Sequence, residues 1–115
     1  MKKKLFTLVA LLAAAMAFAA PVDGDWNVTL SAPEGSTSFT MTVETDGETA
    51  LGRAGDATFN GTYKEGKLEL VGPFYVMEAG YEAELTMDIH MEGNQLAGKA
   101  YWDVYAAEVI GKRPQ

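Results

Sequence analysis

The chain contains no cysteine, only one histidine and only 9 basic residues among its 115. Each shortage excludes a class of chemistry. Without cysteine there is no disulfide, no thiolate metal site, no thiol nucleophile and no lipidated N-terminal cysteine. His90 leaves a zinc site without a second imidazole. Sixteen acidic residues against 9 basic ones give a formal charge of −7, a poor match to nucleic acid or anionic lipid. No window beyond residue 20 shows a helical period, so a glycine-rich phosphate loop between strand and helix has no place here.

What is present begins with "MKKKLFTLVALLAAAMAFAA". Lys2, Lys3 and Lys4 precede an apolar run, Leu5 to Phe18, that is short for a membrane span, and Ala17-Phe18-Ala19 supplies small residues for cleavage. Residues 1–19 read as a signal peptide, and residues 20–115 as one exported domain with no membrane span after cleavage. The expected location is periplasmic or extracellular, in a bacterium. Losing three lysines leaves six basic against sixteen acidic residues, a formal charge of −10.

From residue 24 onward, apolar and polar residues alternate with period two, as half-buried strands require. Trp26, Val28 and Leu30 share one face, Phe39, Met41 and Val43 another, and Ala83 through Met91 a third. Turn pairs such as Asp46-Gly47, Glu65-Gly66 and Gly93-Asn94 recur roughly every ten residues and suit tight hairpins. Eight strands are expected, at 24–31, 37–44, 48–54, 57–64, 67–72, 82–91, 95–102 and 106–113. The segment 39–54 also aligns without a gap on 85–100, matching Thr40, Met41, Gly47, Gly52 and Ala54 to Thr86, Met87, Gly93, Gly98 and Ala100. Duplication of a four-stranded half is the simplest account.

Sequential hairpins favour an all-β, up-and-down antiparallel barrel, because closure removes the exposed edges. Short strands, polar faces rich in Thr, Glu and Lys, and a C-terminus of Lys-Arg-Pro-Gln favour apolar residues inside over a lipid-facing barrel. Gly24-x-Trp26 on the first strand, with Arg113 at the end of the last, resembles the small exported bacterial lipocalin-like (calycin) barrels. That resemblance implies a tryptophan closing one barrel end with the arginine packed across it. Gly24, Trp26 and Arg113 are therefore expected as the structural closure, through a cation–π contact.

Alternating hairpins place Trp26 at one end and the loops 32–36, 54–57, 72–81 and 102–106 at the other. Phe74, Tyr75, Tyr81, Tyr101, Trp102 and Tyr105, half of the twelve aromatics, fall near that second rim. Phe39, Phe59, Tyr75, Tyr101, Trp102 and Tyr105 are the candidate ligand-binding residues, since rigid rings with polar tips suit a cavity mouth. The same rings could merely fill a small barrel in which Gly61, Gly98 and several alanines face inward. The preferred function is non-enzymatic binding of a small apolar ligand by a monomer, with no cofactor, no metal and no nucleic acid. The alternative is a protein-interaction module, such as an exported protease inhibitor or an envelope-associated domain. A catalytic reading would use Glu78, Glu82 and Glu84 near the longest connection. His90 is expected on the outer face beside Asp88.

Overall fold

The computed structural model describes residues 20–115; the expected signal peptide, residues 1–19, lies outside them. Eight strands follow in sequence: β1 (Gly24–Ala32), β2 (Gly35–Asp46), β3 (Thr49–Ala54), β4 (Ala57–Lys64), β5 (Lys67–Val76), β6 (Tyr81–Glu92), β7 (Gln95–Trp102) and β8 (Tyr105–Lys112). Each pairs antiparallel with the next, and β8 returns to β1, so the sheet is a closed up-and-down barrel. Burial follows the two-residue alternation, with the apolar face inside. Trp26, Val28, Met41, Val43, Phe59, Leu68, Leu70, Leu85, Met87, Ile89, Leu96 and Val109 are buried, while their polar neighbours face outward. No polar or charged residue is buried among the described residues.

Outward side chains on β1 and β2 meet directly across the register. Asp25 accepts from Thr42 at 2.7 Å, Asn27 accepts from Thr40 at 3.3 Å, and Thr29 and Ser38 share a bond of 3.0 Å. These are the cross-strand pairs Asp25↔Thr42, Asn27↔Thr40 and Thr29↔Ser38.

Inward glycines let a small barrel coil tightly. A Cβ on Gly61 would lie 1.7 Å from the Glu69 carbonyl oxygen, and one on Gly98 would lie 2.1 Å from that of Asp88. The neighbouring backbone occupies the space a side chain would need, as at the corners of tightly curved sheets. At Gly52 the neighbours are side chains instead: Leu70 Cδ1 at 3.0 Å and Met41 Sδ at 3.2 Å. The room that these glycines free is filled by backbone and aliphatic chains, and at Gly72 by the Thr58 carbonyl and the Phe59 ring.

The repeated hairpins share one register. Val43 faces Gly52 and Ile89 faces Gly98, and the turn glycines Gly47 and Gly93 have φ of 62° and 61°. The equivalence stops there. Val43 also faces Gly24, whereas Ile89 faces Leu68 and not Leu70, the residue that corresponds to Gly24. The strand before the second hairpin is therefore offset by two residues, and the strand after it by four, since Gly52 faces Phe59 and Gly98 faces Val109.

One expected boundary is corrected. The ten-residue connection 72–81 is a tight turn, because β5 runs on to Val76 and β6 begins at Tyr81. Gly72-Pro73 reads as a strand breaker, yet the alternation Leu68, Leu70, Gly72, Phe74, Val76 continues through it. Pro73 lies beyond Val71, the last β5 residue paired with β4, where the strand behaves as an edge and tolerates a missing N–H. The Val76 carbonyl accepts from the N–H groups of Ala79 and Gly80, at 3.1 and 2.8 Å, and Gly80 takes φ 82°. The β5–β6 hairpin therefore projects past its neighbours.

Candidate functional site: the two ends of the barrel

At the end holding the start of β1, residues 20–23 turn across the opening. Val22 is fully buried, and its carbonyl accepts from Trp26 Nε1 at 2.8 Å. The Arg113 guanidinium carbon lies 3.8 Å from the centroid of the Trp26 ring. Its Nη1 donates to the Asp25 carbonyl at 3.0 Å, and Nη2 donates to those of Pro21 at 2.7 Å and Asp23 at 2.9 Å. Gly24, at φ 110°, passes under the guanidinium, where a Cβ would stand 3.0 Å from Nη1. Gly24, Trp26 and Arg113 are thus brought together, and this end is plugged by apolar and main-chain atoms. Val22, which completes the plug, lies before the alternating pattern begins.

The opposite end contains a cavity of about 330 Å³. Its floor and walls include Leu30, Leu85, Ala100 and Trp102; its rim includes Glu34, Thr37, Glu78 and Tyr105. The projecting β5–β6 hairpin covers one side of this mouth. Its tip reaches β2, where Thr37 Oγ1 donates to the Glu78 carboxylate at 3.2 Å. Its far side is fixed at Tyr81, whose ring centroid is 4.7 Å from that of Trp102 and whose hydroxyl donates to Asp103 at 2.5 Å. Asp103 adopts a φ of 55°, which a short acidic residue tolerates in a tight turn. The Asp103 hydrogen bond and its negative charge push the Tyr81 hydroxyl up from 10.0 to about 12.

The six candidate ligand-binding residues divide into three pairs. Trp102 and Tyr105 line the cavity, with ring centroids 6.1 Å apart and planes 20° from parallel. The Trp102 Nε1–H is already donated to the Phe74 carbonyl at 2.8 Å, so the indole offers the cavity an apolar face. Phe39 and Phe59 instead pack on Phe74, at centroid distances of 4.8 and 5.9 Å, and fill the space between β2, β4 and β5. Tyr75 and Tyr101 stand on the outer face, 54% and 52% exposed. Period-two parity separates Tyr101 from Trp102 and Tyr75 from Phe74, and nearness to a rim does not override it.

The wall thins beside Tyr101. The β1–β8 pairing ends at Ser31↔Glu108, short of the mouth. An outer groove follows, bordered by Pro33, Lys99, Tyr101 and Ala106. Ala32 and Ala107 border both groove and cavity.

Other reactive side chains are scattered. His90 is on the outer face, as its parity requires, and its Nε2 lies 2.7 Å from a Glu92 oxygen. Asp88 and Glu92 flank it two residues away on that exposed face, and Glu92 is the one it bonds. Glu82 and Glu84 lie opposite Tyr75 and Pro73 on the β5–β6 ladder, while Glu78 is at the hairpin tip.

No protein-family model matches this chain, and a search of curated proteins finds no match either. The closed eight-stranded architecture is compatible with the lipocalin-like resemblance of its Gly-x-Trp and Arg residues.

Proposed function

We propose that the protein is a non-enzymatic binding barrel that takes a small apolar ligand into the cavity beside Trp102. The observation that carries this reading is the cavity itself. About 330 Å³ of space, walled mainly by apolar side chains, stands open at one end of a barrel whose other end is plugged. That volume falls at the lower end of the range for small-molecule sites.

Intrinsic fluorescence tests the reading directly. Trp102 lines the cavity and Trp26 is sequestered at the other end. A saturable emission change is expected with medium-chain alkyl or small aromatic compounds, and it should disappear in Trp102→Phe. Ala107→Leu, which adds bulk to the cavity wall, should block binding while the circular dichroism of the barrel stays unchanged. Failure of all such compounds to bind would reject the reading.

A protein partner is the second reading, favoured by the outer face. Tyr75, Tyr101 and Val71 are exposed there, and the groove beside Tyr101 is lined by Pro33 and Ala106. It calls for a partner whose binding is lost in Tyr101→Ala and kept in Trp102→Phe.

The reading includes export through residues 1–19 and a bacterial periplasmic or extracellular location. The small-x-small pattern Ala17-Phe18-Ala19 supports cleavage after Ala19. N-terminal sequencing of the exported protein should begin at Ala20.

A further inference from the structure

We infer that the ligand is a cationic amphiphile: an apolar alkyl or aromatic body carrying one terminal ammonium. This rests on the apolar-ligand reading above and adds the chemistry of the head group.

The interior decides what the buried part must be. No polar residue is buried among the described residues, and the Trp102 N–H is already donated to Phe74. A polar group carried inward would lose its water without finding a partner. The ligand's polar end must therefore sit at the rim.

The rim decides the sign of that end. Among the described residues, Glu34 and Glu78 are the only charged ones lining the cavity, and both are acids. Glu78 receives the Thr37 hydroxyl yet keeps further acceptor positions, as a carboxylate has about four. Asp103 adds a third carboxylate beyond Tyr81. Tyr105, stacked beside Trp102, lends a π face that favours a cation. The nearest base on the outer groove, Lys99, is flanked across the strands by Asp88 and Glu108. The chain as a whole is acidic, so its long-range field has the same sign as the rim. An alkyl carboxylate of equal length would bring its charge to the same acids and be repelled.

The test compares octylammonium, octanol and octanoate, each below its aggregation threshold, by tryptophan fluorescence or calorimetry. Octylammonium should bind roughly three- to tenfold more tightly than octanol at low salt, and octanoate more weakly than either. The preference should shrink as ionic strength rises. Each methylene added to the tail should tighten binding about fourfold until the cavity is filled. In the double variant Glu34→Gln, Glu78→Gln the ammonium preference should vanish while octanol binds as before, which also shows that the cavity has folded. Equal binding of all three compounds, or tighter binding of octanoate, overturns the cationic assignment and leaves the apolar cavity standing. Binding by none overturns both. An ammonium preference that survives the double variant also overturns the assignment, because the rim carboxylates are then not its source.

Discussion

Arg113 donates three hydrogen bonds to main-chain carbonyls while lying over Trp26. Two kinds of interaction therefore depend on one side chain at the plugged end. Arg113→Ala should destabilise the barrel by about 2–4 kcal/mol, from the cation–π contact and the charge-assisted bonds together. Thermal denaturation checks the size, and a shifted Trp26 emission would locate the change. Lysine at this position should not restore the loss, since one ammonium cannot reach three carbonyls and cover the indole. At the mouth, Tyr81 donates to Asp103 and its ionisation is pushed up to about 12. A folded-state value above the ordinary 10.0 means the bond stabilises fully below about pH 10 and is lost as pH rises toward 12. Tyr81→Phe should therefore be less stable than the parent at neutral pH, with the gap closing between pH 10 and 12. Urea midpoints measured across that interval decide it; a constant gap would show that the hydroxyl bond contributes nothing.

Among the elements, glycines do two separable jobs. Gly61 faces the β5 backbone at a distance no Cβ tolerates, while Gly47 sits in an open turn at φ 62°. Gly61→Ala should cost at least about 3 kcal/mol, because backbone must move to accept the methyl. Gly47→Ala should cost only about 1–2 kcal/mol of left-handed strain. Parallel denaturation curves test the ordering, which would reverse if turn conformation mattered more than wall curvature. The β5–β6 hairpin shows where strand signals failed. Gly72-Pro73 interrupts propensity, but inward Phe74 and Val76 keep the period, and packing on Phe39 and Phe59 holds the extension. Periodicity was the better guide than breaker residues, because burial of an apolar face outweighs a local preference.

At the scale of the whole molecule, sequential hairpins form seven of the eight strand pairs, and the seam between β1 and β8 forms the last. That seam joins chain ends and is paired over only five residues, from Asn27↔Lys112 to Ser31↔Glu108. It stops short of the mouth, and at the plugged end, where Gly24 to Trp26 have no β8 partner, the Arg113 guanidinium bonds the main chain instead. A ligand held in the cavity should bridge walls on both sides of the seam. At a concentration near a hundred times its dissociation constant, it should stabilise the fold by about 2.7 kcal/mol. For a domain of this size that corresponds to roughly ten degrees or more in the melting midpoint. Differential scanning calorimetry with octylammonium measures this, and no upward shift at saturation would mean that binding lies outside the folded cavity.

The alternation of Trp26, Val28 and Leu30 with Asp25, Asn27 and Thr29, repeated along the chain, determined eight antiparallel strands and their buried face. A period of two leaves a strand two choices of side, and the composition of the polar face chose between them. The same parity put Arg113 in step with Val109 and Gly111, and so in reach of the Trp26 end. Tertiary structure decided where the space would be. Local pattern says which side a ring points to, but not which neighbour will reach it across a barrel. Phe39 and Phe59 meet Phe74 on the stretch of β5 that runs past its pairing with β4, and their part of the interior is filled. Trp102 meets Tyr81 and Tyr105 beside an unpaired stretch of the seam, and there the interior stays open. Cavities are what remains after all walls have packed, so no single segment of sequence contains them.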